Sequence, residues 1–362
     1  MNQLLTVNYE GKPAYDIWLE PDFIKLGEAI APLMLSNRKI MIITDSNVAK
    51  HYLEAIRAVF ISCTKHVESF LFPSGEKSKN LDTVGQCYER LIQAGFDRND
   101  VLVALGGGVV GDLVGFVAAT YLRGIRFIQV PTSLLSMVDS SIGGKTGVDY
   151  KAYKNMVGAF HQPKLVYMNL STLFSLPDAE YFSGMGEIIK HGLIKDISYY
   201  EWLKQQKAKI TAREYETVLT MVYRSCLIKR AVVEQDPKEK GERALLNFGH
   251  TIGHSVEKLK ELKLLHGQCV CLGMAAASYL SLMRGSITEE EYQDILITIK
   301  SFKQPIRVSG LSPKEIYEVT KLDKKMDSDK IKFILLQEIG NAVIDPTVTE
   351  DEMLSAISSI LE

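Results

Sequence analysis

Short apolar runs alternate with amphipathic stretches over the first half of the chain, and this alternation most constrains the fold. Runs of the first kind, rich in valine, isoleucine and leucine, cover residues 39–44, 67–72, 101–105, 127–130 and 165–168. Apolar strands of this length that are separated by helices are typical of a parallel sheet covered on both faces. The helices are predicted near 46–59, 80–94 and 109–119, and residues 3–9 and 14–19 predict a hairpin added at one edge.

The pattern changes to a helical one after about residue 178. Helical periodicity is found near residues 178–195, 211–235, 242–258, 266–284 and 287–299. A short hairpin within 331–345 precedes a last helix at 349–361. We therefore predict two domains: a Rossmann-like α/β domain over residues 1–175 and a mainly α-helical domain over residues 176–362.

Composition excludes several function classes. Of the 362 residues, 46% are hydrophobic and 24% are charged, which is ordinary for a globular enzyme. The net charge of −2 gives no reason to expect nucleic acid or an anionic membrane as a partner. No apolar run reaches membrane-spanning length, and no secretion signal is evident at the N-terminus. The five cysteines form no Cys-x-x-Cys motif, so we expect reduced thiols in a cytoplasmic protein.

A glycine-rich segment, residues 106–112, follows one predicted strand and opens a predicted helix. It has the G-x-G-x-x-G pattern, whose backbone N–H groups and helix N-terminus bind the pyrophosphate of a dinucleotide. The segment lies late in the domain. The usual Rossmann pattern has an acidic residue about 20 positions further on, and this chain has none there. Asp45 and Asn47 could supply the ribose contact instead. The loop from Glu76 to Lys79 either closes over the adenosine or is a solvated charged turn.

A second polar region covers residues 138–158. It places Asp139, Lys145, Lys154 and Asn155 among glycines, in what we interpret as a loop. Lysines in such a setting suit a hydroxylated, phosphorylated substrate, because an ammonium group binds phosphate as a point charge. The alternative is an ordinary surface loop with a few charges.

Three of the seven histidines, His250, His254 and His266, lie within 17 residues, and Glu187 precedes them. Two imidazoles and one carboxylate form a catalytic zinc shell that leaves one position for substrate. Helical spacing alone makes His250 and His254 the metal pair, since they lie one turn apart on one face. The alternative is that these histidines only lie at the surface or pack helices together.

Together these segments resemble the 3-dehydroquinate synthase family, which belongs to the sugar-phosphate cyclases and shares the fold of glycerol-dehydrogenase-like metal enzymes. The resemblance extends from about residue 39 to about residue 340. Its motifs cover residues 106–112, 121–132, 138–146, 154–155, 186–190, 243–254 and 265–267.

The resemblance implies a role for each site residue. The metal ligands, for Zn²⁺ or Co²⁺, would be Glu187, His250 and His266, while His254 would contact the substrate. The NAD-binding set would be Asp45, Asn47, Glu76, Lys79, Gly107, Gly108, Val109, Val110, Gly111, Asp112, Thr132, Ser133, Lys145 and Lys154. The catalytic set would be Asp139, Lys145, Asn155, Lys190 and His254, and the substrate-binding set Lys154, Lys229, Arg243 and Asn247. A further active-site lysine would be Lys324 or Lys325.

The implied reaction converts 3-deoxy-D-arabino-heptulosonate 7-phosphate into 3-dehydroquinate and phosphate, by transient oxidation with NAD, phosphate elimination, re-reduction and aldol cyclisation. A homodimer is also implied by the resemblance. Two enzymatic alternatives stay open: another cyclase, of the 2-deoxy-scyllo-inosose or valiolone type, and a metal-dependent alcohol dehydrogenase. The non-enzymatic alternative is an NAD-binding module whose histidines only hold its helices together.

Overall fold

The computed structural model describes residues 3–151, 153–261, 263–324 and 331–362. It divides into two compact units, the first ending at Leu176 and the second beginning at Pro177. The first unit is built on a sheet, whereas the second is mainly helical, as predicted.

A seven-stranded sheet organises the first unit, in the order β1-β2-β9-β6-β5-β3-β4. The strands of this unit are β1 (Gln3–Tyr9), β2 (Lys12–Glu20), β3 (Ile40–Asp45), β4 (Val67–Phe72), β5 (Val101–Gly106), β6 (Arg126–Pro131), β7 (Lys145–Tyr150), β8 (Tyr153–Phe160) and β9 (Leu165–Asn169). Strands β1 and β2 form the predicted antiparallel edge hairpin, and all other neighbours in the large sheet are parallel. Strands β7 and β8 form a separate antiparallel pair.

Helices cover both faces of this sheet. They are α1 (Leu26–Ile30), α2 (Ala49–Cys63), α3 (Leu81–Gln93), α4 (Gly108–Thr120) and α5 (Thr172–Ser175). Successive residues of β3 belong to different cores: Met41 and Ile43 pack with α4, whereas Ile42 packs with α2. Side chains alternate between the faces of a strand, so a continuous apolar run is buried on both sides. Each such isoleucine contributes about 1.5–3 kcal/mol by burial.

The described part of the second unit consists of helices and one hairpin. Its elements are α6 (Asp178–Lys195), α7 (Ile197–Gln205), α8 (Lys207–Thr211), α9 (Tyr215–Gln235), α10 (His250–Leu259), α11 (His266–Met283), α12 (Glu289–Ser301), α13 (Pro313–Lys324), β10 (Phe333–Glu338), β11 (Asn341–Asp345) and α14 (Glu350–Ser359). Glycines allow three of these helices to pack closely. A Cβ atom at Gly253 of α10 would lie 2.7 Å from the carbonyl oxygen of Cys269 on α11, and one at Gly186 of α6 would lie 2.7 Å from that of Gly267.

Two predictions of local structure were wrong. The single helix predicted over 242–258 is a 3₁₀ segment, Glu242–Asn247, followed by α10, because Gly249 adopts φ +81° and interrupts the helical backbone. The loop predicted between 138 and 158 contains the hairpin of β7 and β8. Its two glycines, Gly147 and Gly158, face each other, and a Cβ at Gly147 would lie 2.9 Å from the carbonyl oxygen of Val157. Glycine here permits close strand pairing rather than a loop.

Candidate active site

The glycine turn, residues 106–112, lies at the point where the strand order of the large sheet reverses. The chain places β4 on one side of β3 and β5 on the other. Open α/β sheets bind ligands beyond the carboxyl ends of strands at such a switch point. Thr44 pairs with Leu105 near the ends of these two parallel strands, so Asp45 and the glycine turn lie at the same edge.

Close packing explains the glycines of this turn. Helix α4 begins at Gly108, and no side chain of the described residues caps its N-terminus, so its first N–H groups point outward, as an anion site requires. A Cβ at Gly111 would lie 2.8 Å from Oε1 of Gln129. The backbone N–H of Thr132 donates to the carbonyl oxygen of Gly106 at 2.9 Å, which fixes the end of β6 beside the turn. Ser133 follows, and its Oγ lies 2.9 Å from Oγ of Ser136.

Asp45 stabilises the loop after β3. Its Oδ1 accepts hydrogen bonds from the backbone N–H groups of Asn47 and Val48, at 2.8 and 3.0 Å. The Asn47 side chain is exposed. The loop is therefore held in one conformation by its own carboxylate, with Asn47 accessible.

A buried lysine links three segments of the predicted NAD site. Nζ of Lys79 donates to Oδ2 of Asp112 at 2.7 Å and to Oδ1 of Asn155 at 2.6 Å. The Lys79 side chain is only 5% exposed and that of Asp112 is 19% exposed. Burial alone would lower the pKa of Lys79, but Asp112 and then Glu76 outweigh it, and the pKa is raised. Lys79 is therefore charged, and its charge is balanced within the protein.

The hairpin of β7 and β8 presents the other predicted polar residues of this unit. Lys154 Nζ lies 3.7 Å from Oε1 of Glu76. Asn155 adopts φ +54°, a conformation uncommon outside glycine, while its side chain accepts from Lys79. Lys145 is exposed at the start of β7, and Asp139 lies in the preceding π-helical turn, Ser136–Ser140. Fixed contacts thus join Lys154 and Asn155 to the loop from Glu76 to Lys79.

Three helices of the second unit bring one carboxylate and two imidazoles together. Glu187 lies within α6, whereas His250 and His266 are the first residues of α10 and α11. One ligand atom of each lies within 4.8 Å of the others, and we call this group the metal cluster. Nε2 of His250 and Nε2 of His266 lie 3.6 and 3.7 Å from Oε1 of Glu187. Tetrahedral bonds of about 2.1 Å separate neighbouring ligand atoms by about 3.4 Å, so these distances suit one ion.

The charges of the metal cluster also fit a cation. Glu187 is completely buried, and Lys190 Nζ pairs with its Oε2. Its Oε1, which faces the imidazoles, has no hydrogen-bond donor among the described residues. Burial raises the pKa of Glu187, but Lys190 and the imidazoles outweigh it and hold the pKa well below its ordinary value. A buried, ionised oxygen without a donor is costly, and a bound cation would compensate it.

The two imidazoles differ in protonation. Burial, followed by the charge of Lys190, holds the pKa of His250 well below its ordinary value, so this ring is neutral, as a ligand must be. Burial lowers the pKa of His266, but Glu187 and Glu257 outweigh burial and raise it to about 9. A metal at His266 would therefore displace a proton.

His254 lies one turn after His250 but is not part of the metal cluster. Its side chain is exposed, and its ring centroid lies 5.0 Å from that of His250 and 5.9 Å from that of His266. Instead, one of its ring nitrogens lies within 4.8 Å of a ligand atom of Glu257 and of one of His266. Helical spacing favours His250 and His254 as the metal pair. The two histidines that lie close to Glu187 are instead His250 and His266.

The predicted substrate-binding residues of this unit are largely buried and held by specific contacts. Arg243 is 2% exposed, and its Nη1 donates to the carbonyl oxygen of Pro237 at 2.7 Å. Lys229, on α9, is 5% exposed. Nδ2 of Asn247 donates to Oε1 of Glu239 at 2.8 Å. Such burial is costly for charged groups and is typical of a pre-organised binding site.

Sequence reasoning missed Glu239 and Glu257, which contact predicted site residues. Glu239 lies in a lysine-rich segment that looks like a surface turn, so no local signal singled it out. Glu257 had a signal: it follows His250 by seven residues and therefore shares its helix face. Lys324 is the last residue of α13, and Lys325 lies outside the described residues, so the choice between these lysines stays a prediction.

Comparison with known proteins gives the family. Residues 69–183 match the family model of the 3-dehydroquinate synthase N-terminal region, and residues 184–326 match that of its C-terminal region. The chain is 40% identical, over 99% of both lengths, to the 3-dehydroquinate synthase of Acetivibrio thermocellus.

Among the helices of the described residues, we find none with the length and apolarity needed to cross a membrane.

Solved structures of related cyclases share the fold. A 2-deoxy-scyllo-inosose synthase complexed with carbaglucose-6-phosphate, NAD⁺ and Co²⁺ has a TM-score of 0.89 and 24% identity, covering 98% of this chain and 99% of that one. The 2-epi-5-epi-valiolone synthase of Streptomyces hygroscopicus, with NAD⁺ and Zn²⁺ bound, has a TM-score of 0.88 and 28% identity over the same shares. The chain is more similar in sequence to the Acetivibrio thermocellus protein than to either of these two cyclases. This identity of 40%, together with both family models, places the chain in the 3-dehydroquinate synthase family.

Proposed function

We propose that this chain converts 3-deoxy-D-arabino-heptulosonate 7-phosphate into 3-dehydroquinate and phosphate. The metal cluster is the observation that carries the proposal, in a chain whose full-length relative is named for this reaction. The substrate is an anionic, polyhydroxylated sugar phosphate. The buried Arg243 and Lys229 supply cationic groups for such a molecule.

Glu187, His250 and His266 would hold Zn²⁺ or Co²⁺. Both ions accept imidazole nitrogen and carboxylate oxygen, and three protein ligands leave a position for a substrate oxygen. Lys190 acts beside them, because its ammonium group keeps the Glu187 carboxylate ionised at the centre of the cluster.

The first unit would hold NAD at the carboxyl edge of its sheet. The pyrophosphate would bind the N–H groups of the glycine turn. The remaining contacts would come from Asp45, Asn47, Glu76, Lys79, Thr132, Ser133, Lys145 and Lys154. When bound, NAD supplies transient removal and return of a hydride, and the divalent ion supplies Lewis-acid polarisation of the reacting oxygen.

The chain's own residues would bind the substrate and handle its charge and protons. Arg243 can bind a carboxylate with two parallel N–H groups, and its contact with Pro237 fixes the direction of the guanidinium. Lys154, Lys229 and Asn247 would bind the other polar groups. Asp139, Lys145 and Asn155 would orient the reacting part of the substrate, and lysine charge would stabilise the departing phosphate.

His254 would transfer a proton to or from a substrate hydroxyl. Its ring is exposed and lies next to the two imidazoles of the metal cluster, which suits a proton-transfer group rather than a ligand. The substrate phosphate can accept a proton itself as it leaves, so no dedicated protein base is required for that step.

Two finer properties belong to the same proposal. We expect a homodimer, which light scattering at assay concentration would test. We also expect the protein to act in the cytoplasm, since the five cysteines, all among the described residues, form no disulfide. Fractionation of the source cells would test this second expectation.

Turnover with catalytic NAD tests the proposed reaction. We expect one phosphate released per substrate consumed, no net accumulation of NADH, and a product with the mass of 3-dehydroquinate. Chelation should abolish turnover, and added Zn²⁺ or Co²⁺ should restore it. Stoichiometric NADH would instead identify a dehydrogenase. A preference for a sugar phosphate without a carboxylate would identify a 2-deoxy-scyllo-inosose or valiolone-type cyclase.

A further inference from the structure

Helix α10 presents three ionisable side chains on one face. His250, His254 and Glu257 stand at positions i, i+4 and i+7, which lie above one another on a helix. Glu257 is only 3% exposed, although a buried carboxylate is costly without a partner. Its burial therefore requires a specific compensating group.

His266, at the start of α11, supplies a group of this kind. Oε2 of Glu257 lies 3.7 Å from Nδ1 of His266, while Nε2 on the opposite side of the ring lies 3.7 Å from Oε1 of Glu187. The ring thus stands between two buried carboxylates, one inside the metal cluster and one outside it. The distance between Oε2 of Glu257 and Nδ1 of His266 is too long for a hydrogen bond. A movement of about 1 Å would bring the two atoms within hydrogen-bond distance.

We propose that Glu257 is a positioning residue of the metal cluster: its carboxylate accepts the Nδ1 proton of His266 and thereby directs Nε2 toward the bound ion. A histidine ligand that donates its other N–H to a carboxylate has one fixed tautomer and a more basic ligand nitrogen. This inference rests on the proposed function only in requiring that the cluster binds a divalent ion.

Two other roles for Glu257 make different predictions. A carboxylate near the N-terminus of α11 could simply stabilise that helix, which would change unfolding but not metal affinity. Glu257, His254 and His266 also offer ligand atoms within 4.8 Å of one another, so they could hold a second ion. In that case two ions would bind per chain.

Equilibrium metal binding separates these roles without using the catalytic reaction. Purified protein is stripped with chelator, and Co²⁺ is titrated while the visible d–d spectrum and the bound stoichiometry are recorded. The variants are Glu257→Gln, which keeps the shape but removes the charge, and Glu257→Asp, which keeps the charge. Glu261→Gln is the matched control, because Glu261 is exposed and lies four residues further along the chain. Far-UV circular dichroism and thermal melting report whether each variant folds.

We expect the wild type to bind one Co²⁺ per chain. Glu257→Gln should bind Co²⁺ about 10–100-fold more weakly and show an altered Co²⁺ spectrum. Glu257→Asp should recover part of the lost Co²⁺ affinity. Glu261→Gln should match the wild type. Unchanged affinity and spectrum in Glu257→Gln would overturn the proposal, whether or not its melting temperature falls. Two ions in the wild type and one in Glu257→Gln would overturn it in favour of a second metal site. If the expected metal result is obtained but the wild type releases no phosphate from the heptulosonate, only the proposed function fails.

Discussion

The two predicted sites satisfy their charged groups in opposite ways. In the first unit, the ammonium group of Lys79 is held by Asp112 and Asn155, so its charge is balanced by the protein itself. In the second unit, Oε1 of Glu187 is buried toward two imidazoles without a donor among the described residues. The first arrangement should contribute to stability without a ligand, whereas the second should gain most from a bound cation.

Removing a proposed metal ligand should have the largest effect. We expect His266→Ala to lose Zn²⁺ and to lower phosphate release by at least about a thousandfold, since Lewis-acid catalysis supplies several kcal/mol. His254→Ala should lose rate but keep the ion, as measured by elemental analysis after desalting. The opposite pattern, with metal lost in His254→Ala and kept in His266→Ala, would mean that helical spacing identifies the ligands better than the cluster does.

Lys79→Met tests whether the first site is balanced internally. Loss of one partner of a buried ion pair costs about 3–5 kcal/mol, and because Asp112 is partly exposed we expect about 2–3 kcal/mol here. Urea unfolding in the absence of NAD measures this loss. The double variant Lys79→Met/Asp112→Asn should recover most of it, and Lys77→Met, at an exposed position in the same loop, should be neutral. An unchanged unfolding free energy in Lys79→Met would remove the contrast between the two sites.

A smaller effect is expected from Gly111→Ala. The added Cβ would lie 2.8 Å from Oε1 of the buried Gln129, so either the Gln129 side chain or the start of α4 must shift. We expect NAD affinity, measured by calorimetry, to fall by about tenfold, or about 1.4 kcal/mol, with unchanged metal affinity. Gly85→Ala is the matched control, because no atom of the residues that the structure describes lies within 4 Å of its added Cβ and α3 should gain about 0.5–1 kcal/mol. Equal NAD binding by both variants would show that the packing of the glycine turn does not determine affinity.

The first unit was the easier one to predict from sequence. Runs such as Val101–Gly106 are strands within one residue of the predicted bounds, because a continuous apolar run between helices has few alternatives to a buried strand. The glycine turn could also be predicted, since strand, turn and helix are consecutive in sequence.

In the second unit, helix α7 was missed. Asp196 caps this helix by accepting from the N–H of Tyr199 at 2.9 Å, a signal that is present in the sequence but weak alone.

The hairpin of β7 and β8 shows where local interpretation fails. Its glycines and lysines have the composition of a loop, and the pairing between the two segments, which includes Gly147 with Gly158, makes them strands. The same limit applies to Glu239, which contacts Asn247 from within a charged segment. Such contacts join residues whose local sequences carry no information about each other.

The sequence by itself determined the two-part organisation, the parallel sheet, the glycine turn and the resemblance that the family models confirm, because each depends on residues that are near neighbours in the chain or on motifs in order. The resemblance also named the residues of the metal cluster, but their approach to one another was decided only by tertiary structure. Glu187, His250 and His266 come from three helices, and close packing at Gly186 and Gly253 sets how those helices meet. Helical periodicity describes one helix at a time, so it favoured His254, whereas the distance between ligand atoms depends on how separate helices pack.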